Sequence, residues 1–162
     1  MREIQLKDLD KLYEIYAGKG ITDYMEGLYK NRIKEEAFTK AYIENMYYFY
    51  GYGIWVVCLK ENDEIIGRAG ISNREVDNEN KLELGYVIAV PYQHKKYAYE
   101  ACEAICRFAK DELLAKELVC FIEKDNITSI RLAKKLKFEF VKNVQTDLGD
   151  SQKMFAYYKK IL

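Results

Sequence analysis

The segment from Lys81 to Leu114 reads KLELGYVIAVPYQHKKYAYEACEAICRFAKDELL and constrains the fold more than any other part of the chain. It begins with alternating and then continuous apolar residues up to Val90, a pattern typical of a strand that enters a core. Pro91, the only proline of the chain, ends that strand. Apolar residues then recur at helical spacing from Ala98 to Ala109, so the sequence predicts a strand that leads into a helix.

A short basic loop, Gln93-His94-Lys95-Lys96, joins the predicted strand to the predicted helix. The first turn of a helix has backbone N–H groups without a helical acceptor, and it carries the positive end of the helix dipole. Two lysines beside such a turn favour a phosphate group as the ligand. The alternative is a basic turn that is only solvated.

This segment resembles the acetyl-CoA-binding motif of the GCN5-related N-acetyltransferases, Gln/Arg-x-x-Gly-x-Gly/Ala, at Gln93-His94-Lys95-Lys96-Tyr97-Ala98. Its flanks, Glu83-Leu84-Gly85-Tyr86 and Tyr97-Ala98-Tyr99-Glu100-Ala101, are similar to the branch that acetylates ribosomal-protein N-termini. Lys96 replaces the usual central glycine, and His94 stands where glycine is also common. A left-handed non-glycine residue costs about 1–2 kcal/mol, so we expect helical dihedral angles at Lys96.

A second stretch is similar to the same family. Asn126-Ile127-Thr128-Ser129-Ile130-Arg131-Leu132-Ala133-Lys134-Lys135-Leu136-Lys137-Phe138 resembles Asn-x-x-Ser-x-x-Leu-Tyr-x-Lys-Leu-Gly-Phe. In the family the asparagine bonds the pantetheine arm and the serine lies along it. Ala133 replaces a tyrosine often given as the general acid, and Lys137 replaces a glycine that ends the helix. A plain helix cap is the alternative role for Asn126.

The resemblance implies acetyl-CoA as co-substrate, with the pyrophosphate at Lys95 to Tyr99 and the pantetheine between the predicted strand end and Asn126. Backbone groups of the strand end would pair with the pantetheine amides, as a neighbouring strand would. Glu83 resembles in position the glutamate that acts as base in some family members. The alternative is that Glu83 is an ordinary solvent-facing residue of the strand. Ser129 or Tyr97 could supply the acid. The predicted cofactor-binding residues are Val87, Ile88, Ala89, Val90, Gln93, His94, Lys95, Lys96, Tyr97, Ala98, Tyr99, Asn126 and Ser129.

Composition bounds the other function classes. Lysine and arginine total 26, as do aspartate and glutamate, so the charge balance does not favour nucleic acid or a membrane surface as a partner. The four cysteines have no metal-ligand spacing, and we interpret them as reduced core residues rather than as a catalytic thiol or a metal site. No signal peptide or membrane span is recognised, so we expect a cytoplasmic protein. Residues 1–162 are predicted to form a single domain, with a homodimer as one option.

The remaining patterns complete an α+β prediction. Residues 2–6 resemble a short edge strand, Asp8 begins a helix, and a loop with a helical turn runs from Ile21 to Lys30. A second helix is predicted from Lys34 to Tyr50, and the aromatic cluster at residues 47–52 is expected to pack in the core, with a wall of a cofactor or substrate site as its alternative. Further strands are predicted at residues 54–59, 65–71, 81–90, 118–122, 138–141 and 154–162, with turns at 61–63, 77–80 and 147–150 and a helix after Asn126.

This order predicts a mixed, mostly antiparallel sheet of six to seven strands flanked by helices, with one parallel pair at its centre. It is the acyl-CoA N-acyltransferase fold that the resemblance implies. The implied activity is transfer of an acetyl group from acetyl-CoA to a primary amine. A degenerate acyl-CoA-binding or interaction domain of the same fold is the alternative. The Tyr-rich segment with Asp23 and Glu26 is compatible with a peptide N-terminus, a polyamine or an aminoglycoside as acceptor.

Overall fold

The computed structural model describes residues 1–148 and 151–162. Its helices are α1 (Leu9–Tyr16), α2 (Arg32–Tyr42), α3 (Tyr97–Asp111) and α4 (Ile127–Lys135). Its strands are β1 (Ile54–Cys58), β2 (Ile65–Val76), β3 (Glu79–Ile88), β4 (Glu117–Glu123), β5 (Glu139–Leu148) and β6 (Ser151–Ile161). Short 3-10 turns cover Leu6–Asp8, Ile21–Asp23 and Val90–Tyr92, and a π-helical segment, Ile43–Tyr50, follows α2.

The six strands form one sheet in the order β1-β2-β3-β4-β6-β5. Glu83 of β3 is opposite Val119 of β4 in a parallel pair, whereas β1 with β2, β4 with β6 and β5 with β6 are antiparallel. The predicted mixed sheet with a parallel pair at its centre is therefore confirmed. The predicted turn at residues 147–150 lies partly outside the described residues.

The chain divides into two compact units. The first contains residues 1–71 and 85–101, and its core includes Leu9 and Leu12 of α1, Tyr47, and Val56 of β1. The second contains residues 72–84 and 102–162. In the second unit Cys102, Ile105, Leu118 and Val119 have no exposed surface.

The predicted strand at residues 2–6 is wrong. Only Arg2 forms an isolated antiparallel bridge, with Val56. The chain then turns, because the Asp8 carboxylate accepts hydrogen bonds from the Gln5 backbone N–H at 2.8 Å and from the Arg2 guanidinium at 2.7 Å and 2.9 Å. Because of that turn α1 begins at Leu9, and the residues before it are too few to form a strand.

The predicted helix from Lys34 to Tyr50 is present, but its second half is π-helical. Tyr47 is buried, and its hydroxyl donates to the Ile54 carbonyl and accepts from the Ile4 N–H. Tyr48 and Phe49 are 78% and 79% exposed. Core packing of the whole aromatic cluster is therefore wrong, because consecutive residues of a helix point to different sides and, of residues 47–50, only Tyr47 faces the core.

Candidate active site

The end of β3 and the loop after it are held by side chains of the first unit. Val87, Ile88 and Ala89 are buried, whereas Val90 is 45% exposed. Tyr92 donates its hydroxyl hydrogen bond to Glu64 at 2.8 Å, and the ammonium group of Lys95 lies 5.4 Å from the centre of the Tyr92 ring. These contacts fix the point at which the chain leaves the sheet.

Many backbone groups of the Val87–Val90 segment are already hydrogen-bonded within the protein. The Ala89 N–H donates to the Ile66 carbonyl at 2.8 Å, and the Ala89 carbonyl accepts from the Tyr92 N–H at 2.8 Å. The carbonyls of Ile88 and Val90 accept from the Gln93 side chain and the Gln93 N–H, respectively. Each of these carbonyls keeps a second lone pair, whereas the Ala89 N–H has no further hydrogen to give.

The backbone of the basic loop is left-handed at two non-glycine residues. His94 has φ +60° and Lys96 has φ +72°. The expectation of helical angles at Lys96 is wrong, because α3 begins one residue later, at Tyr97, and Lys96 is left-handed. Each such residue costs about 1–2 kcal/mol, and backbone of this kind collects at ligand-binding loops.

The first turn of α3 leaves donors available beside this loop. The first helical hydrogen bond runs from the Glu100 N–H to the Lys96 carbonyl, at 3.0 Å, so the N–H groups of Tyr97 and Ala98 have no acceptor within the helix. The side chains of His94, Lys95 and Lys96 are exposed, whereas Tyr97, Ala98 and Tyr99 are partly buried. A cationic loop thus stands at the positive end of a fifteen-residue helix.

In the second unit, Asn126 caps α4 as predicted. Its side-chain oxygen accepts from the Ser129 N–H at 3.1 Å, and both residues are partly buried. Ala133 is buried and cannot donate a proton. Lys137 has φ +66° just after α4, so it takes the left-handed position that glycine commonly occupies at the end of a helix.

Glu83 is not a solvent-facing residue, because only 18% of its side chain is exposed. Its carboxylate accepts from the Arg74 guanidinium at 3.4 Å and from the Phe121 backbone N–H. Burial raises the pKa of the Glu83 carboxyl, while Arg74 and the Phe121 N–H oppose that shift. A carboxylate with a raised pKa takes up a proton more readily near neutral pH, which suits a general base.

Arg74, which contacts the Glu83 carboxylate, was not identified from the sequence. Its guanidinium carbon lies 4.4 Å from the centre of the Phe121 ring and 5.7 Å from that of Phe155. It also lines a cleft of about 360 Å³ with Phe121, Val144 and the turn end of β2. Three strands bring these residues together, so no local pattern could have indicated the cleft.

The cysteines do not form a nucleophilic site. Cys102, Cys106 and Cys120 are buried, Cys58 is partly buried, and all four are free thiols. Burial raises the pKa of each thiol and so disfavours the thiolate that nucleophilic attack requires. This agrees with their interpretation as core residues.

A family model described as an acetyltransferase (GNAT) domain matches residues 1–139. The chain belongs to this family. The match confirms the resemblance found in the sequence, and it supports an acetyl-CoA-dependent N-acetyltransferase with acetyl-CoA as the co-substrate. No helix among the described residues is long and apolar enough to cross a membrane.

Two proteins of Bacillus subtilis (strain 168) are similar in sequence. The uncharacterized N-acetyltransferase YnaD is 28% identical over 137 residues, which are 84% of this chain and 76% of YnaD. The uncharacterized protein YkkB is 28% identical over 96 residues, which are 59% of this chain and 56% of YkkB. The match thus spans little more than half the length of YkkB.

Among solved structures, RimL, a ribosomal L7/L12 alpha-N-protein acetyltransferase in complex with coenzyme A, superposes with a TM-score of 0.81 at 13% identity. The superposition covers 99% of this chain and 92% of RimL. At this identity the similarity establishes the fold.

Proposed function

We propose that this protein transfers the acetyl group of acetyl-CoA to a primary amine by direct attack in a ternary complex. The observation that carries the proposal is the basic loop at the start of α3, where Lys95 and Lys96 stand beside the backbone N–H groups of Tyr97 and Ala98. These groups fit a pyrophosphate: Lys95 and Lys96 supply charge, and the N–H groups at Tyr97 and Ala98 supply donors.

The other predicted contacts are assigned in the same proposal. Backbone groups of Val87 to Val90 pair with the pantetheine, mainly through the second lone pairs of their carbonyls. Gln93 and His94 belong to the loop that surrounds the pyrophosphate, and Tyr99 is the last residue of the Lys95–Tyr99 segment that binds it. In the second unit, Asn126 and Ser129 contact the pantetheine, since the Asn126 side-chain NH₂ still has donors after its oxygen has capped α4.

Acetyl-CoA supplies a thioester whose carbonyl carbon accepts the lone pair of the amine. A C–N bond forms, the C–S bond breaks, and coenzyme A leaves as a thiolate. Glu83 takes the proton that the ammonium acceptor must lose before it attacks, directly or through water, and the nitrogen gives up its second proton to water as the amide forms. Ser129 or Tyr97 protonates the thiolate, although a thiol of ordinary pKa can also take its proton from water.

A second candidate is a coenzyme A-binding domain of the same fold without turnover. The left-handed angles at His94 and Lys96 favour it, because side chains stand where the family motif commonly has glycine and their Cβ atoms can obstruct a ligand. Replacement of the family's tyrosine by the buried Ala133 favours it also.

Two measurements separate the candidates. Coenzyme A should raise the melting temperature of the protein, by an amount that grows with the logarithm of its concentration. A panel of peptide N-termini and small amines should then release free coenzyme A from acetyl-CoA. A melting shift without release on any amine would favour the binding domain, and no melting shift would reject both candidates.

A further inference from the structure

Arg68 of β2 is a cation without a counterion in the described part of the chain. Its side chain is partly buried, its Nε atom is buried and has no hydrogen-bond partner, and its guanidinium forms no ion pair with residues 1–145 or 153–162, whose side chains the structure describes. Buried polar atoms are almost always paired. A buried Nε atom without a partner, on an arginine that is itself only partly buried, therefore points to a ligand from outside the chain.

The strand pairing places Arg68 on the core side of the first unit. Arg68 is directly opposite Val56 of β1, and residues opposite each other in an antiparallel pair share a face of the sheet. Val56 belongs to the core cluster that contains Leu9, Leu12 and Tyr47. The charge of Arg68 acts on both Tyr42 and Tyr47, which lie on that side.

Neither of these tyrosines can neutralise Arg68. Burial raises the pKa of both phenols, so both are uncharged at neutral pH. Their hydroxyls are also committed to the backbone: Tyr42 accepts from the Ile54 N–H at 2.7 Å, and Tyr47 bonds the Ile54 carbonyl and the Ile4 N–H. The guanidinium thus retains its charge and its donors.

The part of β2 that carries Arg68 lies beside the end of β3. The Ala89 N–H donates to the Ile66 carbonyl at 2.8 Å, and a Cβ atom on Gly67 would stand 2.2 Å from the Val87 carbonyl oxygen. Under the proposed function, on which this inference rests, the end of β3 presents the thioester. An anion held by Arg68 would therefore be close to the reacting amine.

We propose that Arg68 binds a carboxylate of the acceptor, so that the acceptor is a primary amine that carries a carboxylate a few bonds away. A planar guanidinium pairs with a carboxylate through two parallel hydrogen bonds. An acceptor with positive charges only, such as a polyamine or an aminoglycoside, would be repelled by the same group. A free amino acid and a peptide with an acidic residue next to its N-terminus both meet the requirement.

The test compares acids with their amides. Free amino acids are paired with amino-acid amides, and Ala-Asp and Ala-Glu peptides with Ala-Asn and Ala-Gln peptides, all four peptides being amidated at the C-terminus so that only the side chain differs in charge. The ratio of kcat/KM, acid to amide, should be about 10- to 100-fold in the wild type and should fall close to one in Arg68→Met. Arg68→Lys should keep part of the ratio, since it keeps the charge without the planar pair. A preference for acids in the amino-acid series alone indicates a free amino acid as acceptor, and a preference in the peptide series alone indicates a peptide.

Binding and stability supply readouts that do not depend on turnover. Calorimetry of the same compounds with the protein saturated with coenzyme A should show the same preference for acids. Arg68→Met should not lower the melting temperature, because it removes an unpaired charge. If Arg68 instead stabilised the fold, its replacement would lower the melting temperature. Arg107→Met, at an exposed ion pair of α3, is the matched control.

The outcomes separate this inference from the proposed function. Loss of the acid preference in Arg68→Met, with the melting shift from coenzyme A unchanged, supports it. Equal use and binding of acids and amides by the wild type overturns it, as does a fall of several degrees in the melting temperature of Arg68→Met. If coenzyme A itself does not bind the wild type, the proposed function fails first.

Discussion

Replacing Gly67 by alanine should damage the strand that presents the acyl donor. The added Cβ atom would stand 2.2 Å from the Val87 carbonyl oxygen and 3.1 Å from the Ile88 Cα atom. These are backbone atoms of a paired strand, so a side-chain rotation cannot relieve the overlap. Contacts between such atoms are favourable near 3.5 Å, so β3 must move away from β2 by about 1 Å at its functional end.

Overpacking of this kind costs about 1–3 kcal/mol. For a chain of this length that corresponds to a fall in melting temperature of about 2–12 °C. Urea unfolding would measure the loss of stability, and calorimetry with coenzyme A would measure the affinity. We expect Gly67→Ala to lose both stability and coenzyme A affinity, because the displaced residues Val87 to Ala89 belong to the proposed pantetheine segment.

Gly85→Ala is the matched control on the neighbouring strand. A Cβ atom at Gly85 meets no atom within 4 Å, and its φ does not lie in the left-handed region. Alanine there should leave stability unchanged or raise it by up to about 1 kcal/mol, because it restricts the unfolded chain. Equal stability and equal coenzyme A affinity in Gly67→Ala and Gly85→Ala would refute the packing argument.

Three further substitutions test separate parts of the site. Asn126→Ala should lose about 1 kcal/mol of stability with its cap and also a part of the melting shift from coenzyme A; an unchanged shift leaves only the cap. Glu83→Gln should lower kcat by about 10²–10⁴, with a smaller loss at high pH, where the amine deprotonates unaided, and wild-type turnover at neutral pH would exclude this base. Burial raises the pKa of Glu83 in the folded state, so folding stability should fall as the pH rises through that pKa, and Glu83→Gln should abolish this fall. Lys96→Gly should raise the melting temperature, since glycine adopts φ +72° without strain; a fall would mean that the Lys96 side chain stabilises the loop.

The sequence predicted the parts of the fold that follow local periodicity. The strand before Pro91, the basic loop and the helix after it are all present, because alternation, a proline stop and helical spacing each report the local backbone. The cap at Asn126 was predicted for the same reason: its oxygen bonds an N–H three residues away.

Features that depend on distant residues were not predicted. The burial of Glu83 depends on Arg74 and Phe121, and only the folded sheet brings these three residues together. The exposure of Tyr48 and Phe49 depends on which side of their helical segment meets the core, and Tyr47 occupies that side. The unpaired state of Arg68 is likewise a property of the packed face of β2, because a sequence cannot show which residues lack a partner.

The most direct test of the account is the affinity of coenzyme A as a function of salt concentration. Calorimetry would compare the wild type with Lys95→Ala plus Lys96→Ala, and with Lys134→Ala plus Lys135→Ala in the last turn of α4, which removes the same charge elsewhere. If the pyrophosphate binds at the basic loop, the first double variant should lose about 1–2 kcal/mol of affinity at low salt and should show a weaker salt dependence. The second double variant should match the wild type. Equal affinity and equal salt dependence in all three proteins would contradict the placement of the coenzyme at the start of α3.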